Sequence, residues 1–236
     1  MNGLAGEMSV AEDARALAVR AADFIVRQIN ACEGVFRLAL SGGSTPRALY
    51  TLLGTARGVA WERVELFWGD ERFVPPTDAD SNFRLVRETL LAGGATPKAV
   101  YPMPTDGTPE DAALRYQALL QRAYGGVEWV SGRALFDLNL LGLGEDGHTA
   151  SLLPGEPVLA ERDAWVSAVP HGREQPRLTL TYPALEASRV TLFLVSGAAK
   201  ADAVRRARAG DVSIPAGALC PQGSTLWFVD RAAAGA

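Results

Sequence analysis

The sequence predicts an α/β fold, a largely parallel sheet flanked by helices, and three observations carry that expectation. Short apolar runs of strand length alternate with longer stretches of helical period, as in repeated strand–helix units. The run Leu135-Phe-Asp-Leu-Asn-Leu-Leu141 is apolar almost throughout, as befits a strand buried on both faces. Glycine-bearing turns follow several of these runs, at the strand ends where such sheets bind ligands. The 236 residues, 48% hydrophobic and 21% charged, are enough to bury a real core, and 1–236 is expected to form a single domain.

The elements follow in order. Ser9-Val-Ala-Glu12 has the form of a capping box and predicts a helix to about Ala31, with Leu17, Phe24, Ile25 and Ile29 inward. Val35-Phe-Arg-Leu-Ala-Leu40 reads as a strand. Thr45-Pro46 opens a second helix, with proline at its first position. Val64-Glu-Leu-Phe-Trp68 is another strand, and Ser81 caps a helix through Leu91. The segment Gly93 to Gly107 is rich in Pro, Gly and Thr but too short to divide domains. Thr108-Pro109-Glu-Asp starts a helix to about Tyr124. After the apolar strand at Leu135–Leu141 come strands at Arg177–Thr181 and Val190–Val195, a helix over Ala198–Ala209 and a last strand at Thr225–Val229. The tail Arg231–Ala236 is expected to fray. Right-handed crossovers put the loops after the strands on one edge of the sheet.

Composition excludes several functions. The net charge is −4 and no long basic block occurs, so a nucleic-acid partner is not expected, and an anionic ligand needs a local cationic pocket. No apolar run approaches the roughly 20 residues of a membrane span. Glu7, Glu12, Asp13 and Arg15 interrupt any signal-like apolar stretch. Cys32 and Cys220 are far apart, match no metal spacing and read as reduced thiols, so a cytoplasmic protein is expected. Histidine is confined to His148 and His171 and lysine to Lys98 and Lys200, so any imidazole or ammonium chemistry draws on a short list.

Four segments carry candidate chemistry. In Leu40-Ser-Gly-Gly-Ser-Thr-Pro46, Gly42 and Gly43 allow close backbone approach and positive φ. The helix N-terminus that follows suits a phosphate, and Ser44 and Thr45 add hydroxyls. A tight turn with a Ser/Thr cap accounts for the same residues without a ligand. It is not a P-loop, because no Gly-Lys-Ser/Thr follows. Trp68-Gly-Asp-Glu-Arg-Phe-Val-Pro75 places Asp70, Glu71 and Arg72 just after a strand. Arg72 suits a bidentate phosphate or carboxylate contact, while local ion pairs in a solvated loop are the competing account.

The third segment, Gly142-Leu-Gly-Glu-Asp-Gly-His-Thr-Ala-Ser-Leu-Leu-Pro154, formally matches the dinucleotide fingerprint. That reading fails because Pro154-Gly155 stops the following helix within about two turns. Its Asp146 and His148 are better read together, a carboxylate able to orient an imidazole and tune its basicity, with a structural histidine on a short helix as the alternative. In the fourth, Arg177 begins a strand and Lys200 opens a helix, where a lysine opposes the dipole unless an anion sits beside it. Each also reads as an ordinary surface charge. His171, in Pro-His-Gly-Arg, has no assigned role. No Gly-x-Ser-x-Gly elbow and no catalytic metal spacing occur.

In combination these segments resemble one family. Ser41-Gly-Gly-Ser-Thr-Pro46, Gly69-Asp-Glu-Arg-Phe-Val-Pro75, Ser81-Asn82, Gly142-Leu-Gly-x-Asp-Gly-His-Thr-Ala-Ser-Leu-Leu-Pro154, Arg177-Leu-Thr and Lys200 occur in the order of the 6-phosphogluconolactonases. The likeness runs from the first helix to the last strand. It implies a Rossmann-like fold similar to that of the glucosamine-6-phosphate deaminases, and hydrolysis of 6-phospho-D-glucono-1,5-lactone in the oxidative pentose phosphate pathway. It implies no metal and no organic cofactor, a small-molecule partner only, and a monomer or weak homo-oligomer. By the family pattern His148 is the general base and Asp146 holds it. Ser44, Arg177 and Lys200 match positions expected to hold the 6-phosphate, and Arg72 adds charge nearby. Gly42, Gly43, Thr45, Asp70, Gly144 and Gly147 complete the expected substrate-binding set. The oxyanion site falls either to N–H groups near Gly42 and Gly43 or to the Gly144–Gly147 loop.

Two rivals are weighed against this. An amino-sugar phosphate deaminase continues its Asp-Gly-His loop to Phe-Asn-Glu-Pro, whereas this chain reads Ser151-Leu-Leu-Pro154, with Leu153 where the carboxylate would stand. Its turn is also Asp-Glu-Tyr rather than Asp-Glu-Arg. A non-catalytic sugar-phosphate sensor would carry a DNA-binding segment, and no basic helix-turn-helix is found. Nor would a sensor need an imidazole at His148.

Overall fold

The computed structural model describes residues 4–171 and 173–236. Strand β1 (Glu7–Ala11) precedes helix α1 (Ala14–Ala31), and β2 (Phe36–Leu40) leads into α2 (Ser44–Thr55). Next come β3 (Val64–Trp68), β4 (Asp70–Arg72), α3 (Asn82–Val86, continued by a π turn over Arg87–Leu91) and the short β5 (Ala99–Val100). Helix α4 (Pro109–Tyr124), β6 (Phe136–Leu141), β7 (Val166–Val169), β8 (Arg177–Leu180) and α5 (Tyr182–Glu186) follow. The chain continues through β9 (Ser188–Val195), a 3₁₀ turn at Ala198–Lys200, α6 (Ala201–Arg208), β10 (Ser224–Asp230) and α7 (Arg231–Ala234).

Seven strands form one sheet in the order β1-β10-β9-β6-β2-β3-β5, and every neighbouring pair is parallel. The expected α/β class, a parallel sheet between helices, is therefore the one observed. The apolar run at Leu135–Leu141 becomes β6, the middle strand, with Leu138 and Leu140 fully buried. From β2 the chain builds outward through β3 to β5; from β6 it builds the other way through β9 to β10. The order reverses between β2 and β6, and such a reversal opens a crevice beyond the strand C-terminal ends.

The strand expected at Arg177–Thr181 is β8, and it belongs to a second, three-stranded antiparallel sheet, β4-β8-β7, that the sequence did not predict. Its register sets Arg72 of β4 directly opposite Arg177 of β8. Buried apolar residues extend as one cluster from Leu4 to Ala233, with Trp227 stacked on Phe193 at 4.1 Å between ring centroids.

Several expectations need correction. Ser9–Glu12 is not a capping box: Glu7–Ala11 pairs with β10 as the sheet's edge strand, and Asp13 caps α1 by accepting from the Ala16 N–H at 2.8 Å. Sheet pairing over five residues outweighs a local capping pattern. Phe24 does pack against the core as expected, half-buried and edge-on to Phe228. Helix α2 begins at Ser44 with Gly43 as its N-cap, so Pro46 is its third residue. No helix follows His148; Ala150 takes a left-handed φ of 48° and the chain turns instead. The tail does not fray up to Ala234, because Asp230 caps α7 through the Ala233 N–H at 2.7 Å and Ala233 is buried. Ser81 caps α3 by accepting from the Arg84 N–H, and α4 spans the expected residues.

Candidate active site

The crevice at the β2/β6 reversal holds a cavity of about 210 Å³. Four strand-end loops build it. The loop after β2 supplies Gly42, Gly43, Ser44 and Thr45; the residues after β3 supply Asp70 and Arg72; the loop after β6 supplies Gly144 and His148; and the turn after β9 supplies Lys200. Arg177 enters from β8. The structure thus brings together ten of the residues singled out in the sequence. Asp146 and Gly147 stand outside the cavity lining.

His148 is held from behind. Its Nδ1 lies 2.5 Å from Asp146 Oδ1, which also accepts from the His148 backbone N–H at 3.2 Å. With Nδ1 committed to that carboxylate, Nε2 is the nitrogen available to the cavity. Burial alone would raise the Asp146 carboxyl, but hydrogen bonds from His148, with the charges of His148 and Arg173, hold it below its ordinary range. The loop is drawn tight by the Gly144 N–H donating to the His148 carbonyl at 2.8 Å and the Gly147 N–H donating to the Gly144 carbonyl at 3.1 Å.

Two glycines of this loop are required by contact. A Cβ on Gly144 would stand 2.0 Å from His148 Nδ1. Gly147 has a φ of 81°, and a Cβ there would meet Ile214 at 2.6 Å. Gly147 was expected to touch substrate. It instead faces Ile214, and its carbonyl accepts from the Ala216 N–H at 2.9 Å.

Three cations, Arg72, Arg177 and Lys200, also line the cavity. Arg177 is half-buried, and burial together with neighbouring Arg72 pushes its guanidinium down from the usual arginine range. Asp70 tempers this. It is buried, accepts from Ser151 Oγ at 2.6 Å and from Asn82 Nδ2 at 3.3 Å, and its charge opposes the fall at Arg177. Arg72 Nη1 donates to the Asp80 carbonyl at 2.7 Å, while its buried Nε has no partner among the described residues. On the rim, Lys200 Nζ is 3.7 Å from Glu145 Oε1. The first turn of α2 has no side-chain cap, so its N–H end is presented to the cavity.

Sequence reasoning passed over residues that only the fold brings in. Asn82 backs the glycine turn so closely that a Cβ on Gly42 would lie 1.8 Å from its Oδ1. Ser196 meets Thr45, hydroxyl to hydroxyl, at 3.0 Å. Ser41 lines the cavity with a buried hydroxyl that has no hydrogen-bond partner among the described residues. Arg173 reaches Asp146 Oδ2 at 2.7 Å. Asn82 and Ser41 stand in the Ser81-Asn82 and Ser41–Pro46 motifs, which were the available signals for them; Ser196 and Arg173 carried none. Lys98 and His171 lie away from the cavity, Lys98 paired to Glu65 at 3.0 Å and His171 exposed. Among the described residues no three His, Cys, Asp or Glu side chains gather as metal ligands, and no helix is long and apolar enough to cross a membrane.

Comparison with known proteins finds relatives over nearly the whole chain. The family model for glucosamine-6-phosphate isomerases/6-phosphogluconolactonase matches residues 12–227. A 6-phosphogluconolactonase of Nostoc sp. is 36% identical over 234 residues, covering 96% of this chain and 96% of its own. One from Synechocystis sp. is 40% identical over 202 residues, covering 83% and 82%. The solved 6-phosphogluconolactonase of Trypanosoma cruzi superposes with a TM-score of 0.86 at 28% identity, covering 99% of this chain and 97% of its own. Sheet order, crevice and sequence likeness converge: the chain belongs to the glucosamine-6-phosphate isomerase/6-phosphogluconolactonase family.

Proposed function

We propose that this protein hydrolyses 6-phospho-D-glucono-1,5-lactone to 6-phosphogluconate, in the oxidative pentose phosphate pathway, with His148 as general base. The observation that carries the mechanism is the Asp146–His148 pair beside a cavity that Arg72, Arg177 and Lys200 also line. A phosphate of charge near −2 binds where two or three cations converge, which a net-negative protein needs to hold an anion. Ser44, Arg177 and Lys200 hold that phosphate. The sugar ring then reaches toward His148.

His148 Nε2 takes a proton from water as the oxygen attacks the lactone carbonyl. Asp146 stabilises the imidazolium that forms. Collapse of the tetrahedral intermediate breaks the bond to the ring oxygen, which takes the proton back from Nε2. The N–H groups of Gly144 and Gly147 are already spent inside their own loop, so the oxyanion falls to the Gly42–Gly43 turn at the start of α2. A lactone is already activated, and one general base supplies about 10²- to 10⁴-fold, so no covalent nucleophile is needed.

The reading extends to a single working unit over 1–236, cytoplasmic, with unpaired thiols at Cys32 and Cys220, acting as a monomer or weak homo-oligomer. The deaminase alternative is disfavoured by buried, apolar Leu153 where that chemistry wants a carboxylate. The deciding assay measures hydrolysis of freshly generated lactone above the spontaneous rate, with glucosamine-6-phosphate as control. Accelerated hydrolysis without ammonia release is expected, and His148→Asn should retain phosphogluconate binding while losing most turnover. Ammonia release, or near wild-type turnover in His148→Asn, would defeat the reading.

A further inference from the structure

Arg173 belongs to none of the motifs, yet it touches the Asp146–His148 pair. It lies between β7 and β8 with a φ of 73°. That left-handed backbone is costly for a residue with a Cβ and free for glycine. A side chain kept there marks a conformation that its surroundings impose. The guanidinium Nη2 donates to Asp146 Oδ2 at 2.7 Å and lies 3.3 Å from His148 Nδ1. The Arg173 N–H donates to the His171 carbonyl at 2.7 Å. Two residues on, Gln175 Nε2 donates to Asp80 Oδ2 at 2.7 Å, and the Asp80 carbonyl also accepts from Arg72. Arg173 and Gln175 thus tie this segment to the chain that carries His148 and to the chain beside Arg72, and the strained residue is the one aimed at the histidine's partner.

We propose that Arg173 is a positioning residue for hydrolysis: by occupying Asp146 Oδ2 it fixes Oδ1 on His148 Nδ1. The imidazole then carries its proton on Nδ1 and offers the Nε2 lone pair to the cavity. Asp146 is two-fifths exposed and, among the described residues, held otherwise only from the His148 side, so without the guanidinium its carboxylate is free to turn away. A point cation at the same place would serve nearly as well, because a single N–H is used. The inference rests on His148 being the base, and it concerns a residue no motif predicts.

The test uses Arg173→Gly, Arg173→Lys and His148→Asn in the full chain. Arg173→Gly removes the guanidinium and suits the left-handed backbone, so its melting temperature should not fall. Its kcat should drop roughly tenfold or more, since small misplacements of a catalytic group are costly, with KM held within about twofold. Nitrogen-15 NMR of the two histidines, assigned with His148→Asn, should show the Nδ1–H signature of His148 giving way to a tautomer mixture. Arg173→Lys should restore most of kcat and the signature. The proposal is overturned if Arg173→Gly turns over within twofold of the parent with the His148 signal unmoved. It is also overturned if activity falls only in step with stability. Should His148→Asn itself stay active, the base assignment fails, and that result is separable from either outcome.

Discussion

At the residue scale the site depends on what is missing as much as on what is present. Gly144 has an ordinary φ, so alanine there is acceptable to the backbone, but its Cβ would fall 2.0 Å from His148 Nδ1 and 2.5 Å from Asp146 Oδ1. Gly144→Ala should therefore displace the imidazole and lower kcat by about a hundredfold, with the fold retained by circular dichroism. The cations act on a different quantity. Arg177→Ala or Lys200→Ala should raise KM at least about tenfold for the phosphorylated lactone, since a charge-assisted hydrogen bond contributes about 1.5–3 kcal/mol. Unphosphorylated gluconolactone should respond little; equal losses on both substrates would count against a phosphate role. His148, Asp146 and the Gly42–Thr45 turn were legible because their chemistry is local, a carboxylate two residues from an imidazole and glycines at a helix start. Ser151 was not, because its bond to Asp70 spans 81 positions. Nor was Arg173, whose meaning lies in a fold contact with Asp146.

At the element scale one buried carboxylate organises the second wall. Glu71 on β4 accepts from the N–H groups of Arg72, Asn82 and Phe83 and from the Ser81 hydroxyl, joining the strand to the start of α3. Burial outweighs those bonds and pushes its pKa from 4.5 to about 7. The folded protein thus binds this proton more tightly than the unfolded chain. Its contribution to stability is greatest below pH 4.5 and declines as pH rises to 7, a loss of about 3 kcal/mol. Glu71→Gln should lose that slope: melting temperatures at pH 5 and pH 8 should lie closer together in the variant than in the parent. An unchanged difference would mean the carboxyl titrates as it does in water. Elements with strong local signals, such as α4 with its Thr108 cap and Pro109, were legible in the sequence. Strand β1 was misread as a helix start because its identity comes from β10, over two hundred positions away.

At the scale of the whole molecule, the fold class could be read from the alternation of elements, and the sheet edge that holds the candidate site from the crossover rule. The small antiparallel sheet could not. β8 was read as the strand Arg177–Thr181, but β4 and β7 are three and four residues long, too short for a periodic pattern, and the pairing of the three exists only in the fold. That sheet places Arg72 opposite Arg177, and like charges directly across a strand pair oppose folding. An anion seated between them removes the opposition, so the native state is coupled to its own ligand. Inorganic phosphate or 6-phosphogluconate should raise the melting temperature, by about 2.7 kcal/mol of stability at a hundred times the dissociation constant, whereas chloride at equal ionic strength should do less. Arg177→Ala should blunt the response. Resistance to proteolysis would then track the supply of sugar phosphate, and the amount of this protein in a cell would respond to metabolic flux without any regulator acting on its gene.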